Sequence, residues 1–237
     1  MSHRTTRRRQ SGFTLVEIAI VLLIVGLMIG GILGPLFSQL EQRRVSDTKR
    51  TMEEAREALY GFALRNGYLP CPAISSINGL EDRTGNLCNK RYGFLPWATL
   101  GVSRLDGWNR LMAYSVTPAF ADSTNLFTLR TLRDITVVTR ATNGQLVPAT
   151  DIGDIPAVIV SFGRNGYGAT GDQNTIIADA GVGNIDEKVN LQATGTTLIT
   201  RDAIENANAP GGEFDDMVLW MSPNILFNRM VTAQRLP

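Results

Sequence analysis

The longest apolar stretch of the chain lies close to its N-terminus. Residues 18–37 form a run of twenty residues without a single charged side chain. At about 1.5 Å of rise per residue, a helix of that length covers the ~30 Å hydrocarbon core of a bilayer. The pattern therefore predicts a membrane-spanning helix over residues 18–37.

After residue 37 the apolar positions recur at the spacing of an amphipathic helix. They fall at i, i+3, i+7 and i+10 among charged side chains: Met52, Ala55, Leu59 and Phe62. The Asn66-Gly67 step then signals the end of a helix. We expect one continuous helix over residues 13–65 whose second half packs on a globular head. A free coiled-coil stalk fits less well, because the heptads are too few.

Residues 66–237 contain alternating or β-branched segments separated by turn dipeptides such as Asn143-Gly144. The predicted strands and helix are Leu111–Val116, Ile135–Thr139, Ala157–Phe162 and Met217–Met221, with the helix over Asn125–Leu132. This mixture predicts an α+β head.

Residues 1–12 contain four arginines and no acidic residue. Positive charge flanking an apolar helix stays in the cytoplasm, so the residues after Phe37 are expected across the membrane. An ordinary secretory signal peptide is the alternative. Against it, the apolar run exceeds the usual core of about 7–15 residues and no small-x-small cleavage site follows.

Net charge gives little reason to expect a nucleic-acid partner. Removing the four arginines of residues 1–12 from the 23 basic residues leaves 19, against 22 acidic residues. The remainder of the chain is therefore mildly acidic, without the basic excess of proteins that bind nucleic acid through phosphate contacts.

The segment Ser11-Gly12-Phe13-Thr14-Leu15-Val16-Glu17 joins the arginines to the apolar run. It resembles the processing site of type IV prepilins and of the pseudopilins of type II secretion. The resemblance implies cleavage after Gly12 by a prepilin peptidase, methylation of the new amino group on Phe13, and loss of a leader over residues 1–12. It also implies a long N-terminal helix packed on an antiparallel β-sheet head.

Glu17 needs a physical explanation, because a carboxylate in apolar surroundings is unfavourable unless it is paired or protonated. Cleavage would create a positively charged amine on Phe13, one helical turn away. The resemblance implies that Glu17 pairs with the terminal amine of a neighbouring subunit during assembly. The alternative is a glutamate at the membrane interface that water solvates.

Small residues and one proline interrupt the apolar helix. Gly26, Gly30 and Gly34 repeat at the small-xxx-small spacing that allows close helix packing in membranes. Pro35 removes a backbone hydrogen bond and, with the glycines, predicts a point of helix flexibility. Pilins often have a proline one residue earlier, so this correspondence is approximate.

Cys71 and Cys88 are the only cysteines, and both lie in the part expected to be exported. We expect a disulfide between them, which would stabilise the head by about 3 kcal/mol. Two unpaired thiols are the alternative. A zinc site is disfavoured because two cysteines without histidine do not complete the coordination.

Catalysis and cofactors are not expected. The one histidine, His3, lies in the predicted leader, which excludes histidine-dependent triads in the mature chain. Asp215-Asp216 could be an acidic pair, but the position before an apolar strand indicates loop residues. No metal ligand is predicted, although four oxygen-bearing residues offer an alternative calcium loop like that of major pseudopilins: Asp172, Asn174, Asp179 and Asp186.

One further segment, Asp106-Gly107-Trp108-Asn109, is loosely similar to an Asp-x-Trp-Gly pattern of secretion pseudopilins. Asn109 stands where that pattern has glycine.

These features predict a non-enzymatic filament subunit, a minor pilin or pseudopilin, in the inner membrane as a single-pass protein with its head in the periplasm or in an extracellular pilus. The implied partners are prepilin peptidase, other pilin or pseudopilin subunits, the inner-membrane assembly platform and membrane lipid. A type II secretion pseudopilus component is one alternative. A membrane-anchored adhesin or DNA-uptake pilin with a ligand-binding head is another, and only a DNA-uptake pilin would bind nucleic acid.

Overall fold

The computed structural model describes residues 12–179, 181–192 and 194–236, apart from the side chains of residues 29–35. The chain divides between Arg43 and Arg44 into two compact units. Helix α1 (Leu15–Asn66) supplies the regular structure described for the first unit and opens the second. Helix α1 corresponds to the helix expected over residues 13–65.

In the first unit, the large apolar side chains described along α1 are exposed, from 89% for Leu15 to 43% for Val25. Over the part of the chain that the structure describes, no helix combines the length and apolar character that crossing a membrane requires. The span expected over residues 18–37 includes residues 29–35, whose side chains lie outside the described set.

In the second unit, one face of α1 is buried. Met52, Ala55 and Leu59 are each no more than 2% exposed and Phe62 is 6% exposed, as the apolar periodicity of this half of the helix predicted. The helix ends at Asn66, and Gly67 follows with φ +83° while its amide donates to the Ala63 carbonyl at 2.7 Å. A left-handed residue of this kind is a common helix stop, and glycine adopts it without strain.

The head contains nine strands and four further helices within the described residues. In chain order they are β1 (Arg83–Thr84), β2 (Leu87–Cys88), β3 (Tyr92–Phe94), α2 (Trp97–Leu100), β4 (Ala113–Val116), α3 (Pro118–Ala121), β5 (Thr136–Arg140), β6 (Leu146–Pro148), β7 (Ala157–Ser161), α4 (Ile185–Asn190), β8 (Thr197–Ile199), β9 (Met217–Trp220) and α5 (Pro223–Thr232). The four strands expected from the sequence are present as β4, β5, β7 and β9, with their ends shifted by one or two residues.

The main sheet is antiparallel with the order β3-β4-β7-β9. Its strand β7 is buried at every position, and its side chains alternate between two hydrophobic clusters. Ala157 and Ile159 join the cluster that contains α1 and α5, whereas Val158 and Val160 join the cluster that contains β5. Because successive side chains point to opposite faces and each face meets an apolar cluster, apolar residues follow one another along β7.

A second sheet has the order β6-β5-β8 and departs from the expected antiparallel arrangement. Strands β5 and β8 are parallel, with Val137 opposite Leu198. Parallel strands need a long crossover connection. Here the chain passes through β6, β7 and α4 before it reaches β8, so the head combines antiparallel sheets with one parallel pair among the described strands.

The prediction of a helix over Asn125–Leu132 was wrong. The Asp122 carboxylate accepts hydrogen bonds from the amides of Thr124 and Asn125 at 2.8 and 2.9 Å, and the Thr131 hydroxyl accepts from the Thr128 amide at 2.8 Å. Aspartate and threonine side chains of this kind compete with the helical backbone for its donors. The segment therefore forms turns around one buried residue, Phe127.

Candidate functional site

The N-terminus of α1 begins with a reciprocal pair of hydrogen bonds. The Glu17 amide donates to the Thr14 hydroxyl at 3.3 Å, and the Thr14 amide donates to the Glu17 carboxylate at 3.4 Å. This is the capping-box arrangement, in which a threonine before the helix and a glutamate in its first turn satisfy each other's backbone donors. The Thr-x-x-Glu spacing is visible in the sequence and would have predicted this contact.

The remaining residues of the processing motif are open in the structure. Phe13 is 79% exposed, and a Cβ placed on Gly12 or Gly26 would meet no other atom within 4 Å. Gly30, Gly34 and Pro35 fall within residues 29–35, whose surroundings are outside the described set. Their roles in processing and helix packing stay predictions.

The disulfide expected in the head is present and joins Cys71 to Cys88, with their Cα atoms 5.3 Å apart. Cys71 is fully buried, and its amide donates to Glu81 at 3.1 Å. Glu81 in turn forms an ion pair with Arg83 at 3.0 Å. The bond therefore closes a loop that also has its own polar contacts.

The Asp106–Asn109 turn connects the main sheet to α1. Asp106 is buried, accepts hydrogen bonds from the amides of Trp108 and Arg110 at 2.9 Å each, and accepts one from the Ser161 hydroxyl at 2.6 Å. The Gly107 amide donates to the Thr48 hydroxyl of α1 at 2.9 Å.

Asn109 has φ +59°, in the left-handed region that asparagine enters more readily than most residues. This conformation explains how asparagine can replace the glycine of the similar pseudopilin pattern. The turn therefore keeps the Gly107 amide in contact with the second half of α1.

Three carboxylates converge between α4 and β9. Oxygen atoms of Glu187, Asp215 and Asp216 all lie within 4.8 Å of one another, and Glu187 and Asp216 are buried. Asp215-Asp216 directly precedes β9, as the sequence indicated. No local pattern predicts that Glu187 joins them, because Glu187 lies 28 residues before Asp215 in the chain.

Amide groups surround this acidic cluster. Glu187 accepts hydrogen bonds from the side chains of Asn165 and Asn184 at 2.9 and 2.6 Å, and Asn190 donates to Asp216 at 2.8 Å. Burial is the main cause that raises the pKa of Glu187, Asp215 and Asp216. Carboxylate oxygens suit a calcium ion, and the same contacts also suit a structural cluster that retains protons.

The alternative calcium loop is not assembled. Asn174 accepts a hydrogen bond from Ser76, Asp179 pairs with Lys188 at 3.2 Å, and Asp186 pairs with two arginines elsewhere in the head. These residues therefore have separate partners and form no common site.

Comparison with known protein families gives a match at the N-terminus. A family model described as the prokaryotic N-terminal methylation motif matches residues 7–33. The matched range includes the predicted cleavage position and Glu17, so the recognition made from residues 11–17 is confirmed. No curated protein and no solved structure is significantly similar to the chain.

Proposed function

The chain carries the methylation motif that marks proteins of the type IV pilin and pseudopilin family, and from that premise we propose that it is a structural subunit of a type IV pilus-like filament. In this proposal, prepilin peptidase cleaves after Gly12 and methylates Phe13. The N-terminal helix then anchors the subunit in the inner membrane, with the head in the periplasm, until assembly transfers it to a filament.

The single observation that carries the proposal is the position of the motif at the start of α1. The apolar side chains described in the first half of that helix are exposed. Exposed apolar surface of this extent needs a covering partner. Lipid would cover it before assembly, and the equivalent helices of other pilin or pseudopilin subunits would cover it in the filament.

Contacts along the second half of α1 support a mechanical role. Arg229 of α5 forms a two-point ion pair with Glu57 at 2.6 and 3.0 Å, and the Tyr60 hydroxyl donates to the Ser222 carbonyl at 3.5 Å. Together with the buried face of α1, these contacts join the second half of α1 to the head. A subunit pulled by its helix through the assembly platform would carry its head with it.

Glu17 has two successive partners in this proposal. Before cleavage its carboxylate caps α1 through Thr14. Cleavage leaves a charged amine on Phe13, and an amine of a neighbouring subunit can then pair with Glu17. Neutralising both charges removes the unfavourable transfer of an unpaired carboxylate into an apolar fibre core.

Replacing Glu17 tests the assembly step. In a cell with the cognate assembly machinery, Glu17→Ala should be cleaved and remain in the membrane but should be depleted from sheared filaments. Glu54→Ala is a matched control, because Glu54 lies on the same helix and only pairs with the exposed Arg50. Normal incorporation of Glu17→Ala would contradict the pairing.

The motif is common to pilins and to secretion pseudopilins. The long, glycine-rich head favours a minor subunit over the bulk subunit of a fibre. Crosslinking in cells followed by identification of the captured subunits tests this choice: pilus subunits support the minor pilin, and secretion subunits support the pseudopilin.

A further inference from the structure

We propose that a cleft at the carboxyl ends of β5 and β8 binds a small sugar acid through Arg140 and Arg201. The cleft has a volume of about 530 Å³, which lies in the range of about 300–1,000 Å³ for small-molecule sites. Because β5 and β8 are parallel, both strands end at the same edge of the sheet, and Thr139, Arg140, Thr200 and Arg201 line one opening.

A buried carboxylate holds the two arginines in place. Asp186 has no exposed surface. Arg140 donates to both of its oxygens, from Nε at 2.7 Å and from Nη2 at 2.6 Å. Arg201 lies on the other side, with its Nε 3.3 Å from the same carboxylate. Two guanidinium groups therefore share one carboxylate inside the protein.

Further contacts fix each guanidinium group in the cleft wall. Arg140 donates to the Gly144 carbonyl at 2.5 Å, and Arg201 donates to the carbonyls of Pro210 and Gly212 at 2.8 and 2.5 Å. The Arg201 guanidinium also lies 4.9 Å from the centre of the Phe214 ring. A rigid donor loses little conformational entropy when it binds a ligand.

The charge of this arrangement favours an anion with one negative charge. Two arginines and Asp186 leave an excess of one positive charge in the poorly solvated part of the site, where electrostatic interactions are strong. Burial lowers the pKa of Arg201, and its interaction with Asp186 only partly opposes this shift. A bound carboxylate would supply the missing negative charge.

The other lining residues narrow the class of ligand. Asp202 is exposed at the opening, so its charge is screened by water but still disfavours doubly charged groups such as phosphate monoesters. Thr139 and Thr200 offer hydroxyl groups, and Ile204 offers an apolar edge. A carboxylate, several hydroxyl groups and a partly apolar ring are the features of a sugar acid.

This inference does not depend on filament assembly, because every residue involved lies in the head. It would give the head a recognition role in addition to its structural one. A filament that displays such a site could attach to acidic polysaccharides.

Titration calorimetry on the purified full-length chain in detergent tests the site. D-glucuronate is the probe, and D-glucose, which has a similar ring without the carboxylate, is the matched ligand control. We expect binding of D-glucuronate at least about tenfold tighter than binding of D-glucose or inorganic phosphate. Failure of D-glucuronate to bind would overturn the proposal, and equal affinity for phosphate would overturn the assignment to a carboxylate.

Two variants test the location without disturbing the buried Asp186 pair. Ala149 lines the cleft and is exposed, so Ala149→Trp should fill the opening and weaken D-glucuronate binding about tenfold or more. Ala207 is exposed and lies outside the cleft lining, so Ala207→Trp should leave binding unchanged. If both variants bind D-glucuronate like the unmodified chain, the cleft is not the site.

Discussion

Helix α1 has two halves that differ in what covers their apolar side chains. In the half before Arg43, Leu22 and Leu27 are 66% and 71% exposed. In the half after Arg44, Leu59 and Ala63 are 1% and 0% exposed because the head covers them. In the proposed filament subunit, the second half of α1 packs on its own head, and lipid or other subunits would cover the first half.

Leucine truncations in the two halves should give the largest difference. Leu59→Ala should destabilise the isolated chain by about 2–5 kcal/mol, because it opens a cavity in the core. Leu22→Ala should change the same free energy of unfolding by about 0.5 kcal/mol or less. Urea denaturation in detergent, followed by tryptophan fluorescence, measures both. Similar losses of unfolding free energy in the two variants would contradict the difference in burial between the two halves of α1.

Glycine substitutions test how the head holds the second half of α1. A Cβ on Gly107 would lie 2.3 Å from the Arg44 carbonyl oxygen, so Gly107→Ala should destabilise the chain by about 1–3 kcal/mol. Gly61 lies in α1 with open space around its Cβ position. Gly61→Ala should therefore stabilise the chain by up to about 1 kcal/mol, and thermal unfolding should separate the two variants in opposite directions.

The acidic cluster of the head makes a pH-dependent prediction. Burial raises the pKa of Asp216 above its unfolded value, so its contribution to stability is fully present below about pH 4 and is lost as pH rises toward the folded-state pKa. Asp216→Asn removes this titration and its oxygen can still accept the Asn190 hydrogen bond.

The stability of Asp216→Asn relative to the unmodified chain should therefore increase above pH 4, by at most about 1.4 kcal/mol per pH unit. Urea denaturation at several pH values in the presence of a chelator measures the difference. A difference that stays constant with pH would show that Asp216 titrates normally.

The smallest expected effect comes from the ion pair between Glu57 and Arg229. The hydrogen bond that Glu57 accepts from Arg229 is the main cause that lowers the pKa of Glu57. The ion pair therefore stabilises the folded chain above about pH 4.5, and this stabilisation is lost at lower pH. Because both side chains are partly exposed, at 54% and 38%, Arg229→Ala should destabilise by only about 0.2–1 kcal/mol. Two-state unfolding curves should show a larger loss at pH 7 than at pH 3, where only the contact of Arg229 with the Tyr60 ring remains to be lost.

Much of the fold follows from local patterns in the sequence. The burial of Leu59 was predictable from its helical spacing, and strand β7 from its β-branched residues, because neighbouring residues determine both signals. The segment around Phe127 was misread, since the Asp122 and Thr131 side chains take backbone donors that a helix would have used.

The candidate sites also differ in whether a local sequence pattern predicts them. Gly12 and Glu17 lie five residues apart and form a recognisable motif. Arg140 ends β5, Arg201 follows β8 and Asp186 lies on α4, so their ion pairs are long-range contacts that no local pattern encodes.

In the proposed function, the first half of α1 becomes an assembly surface after cleavage beside Gly12. Mass spectrometry of the chain purified from cells that contain its prepilin peptidase tests this most directly. The account predicts a mature protein that begins at Phe13 and carries one additional methyl group on its terminal amine. A mature protein that begins at any residue other than Phe13 would contradict it.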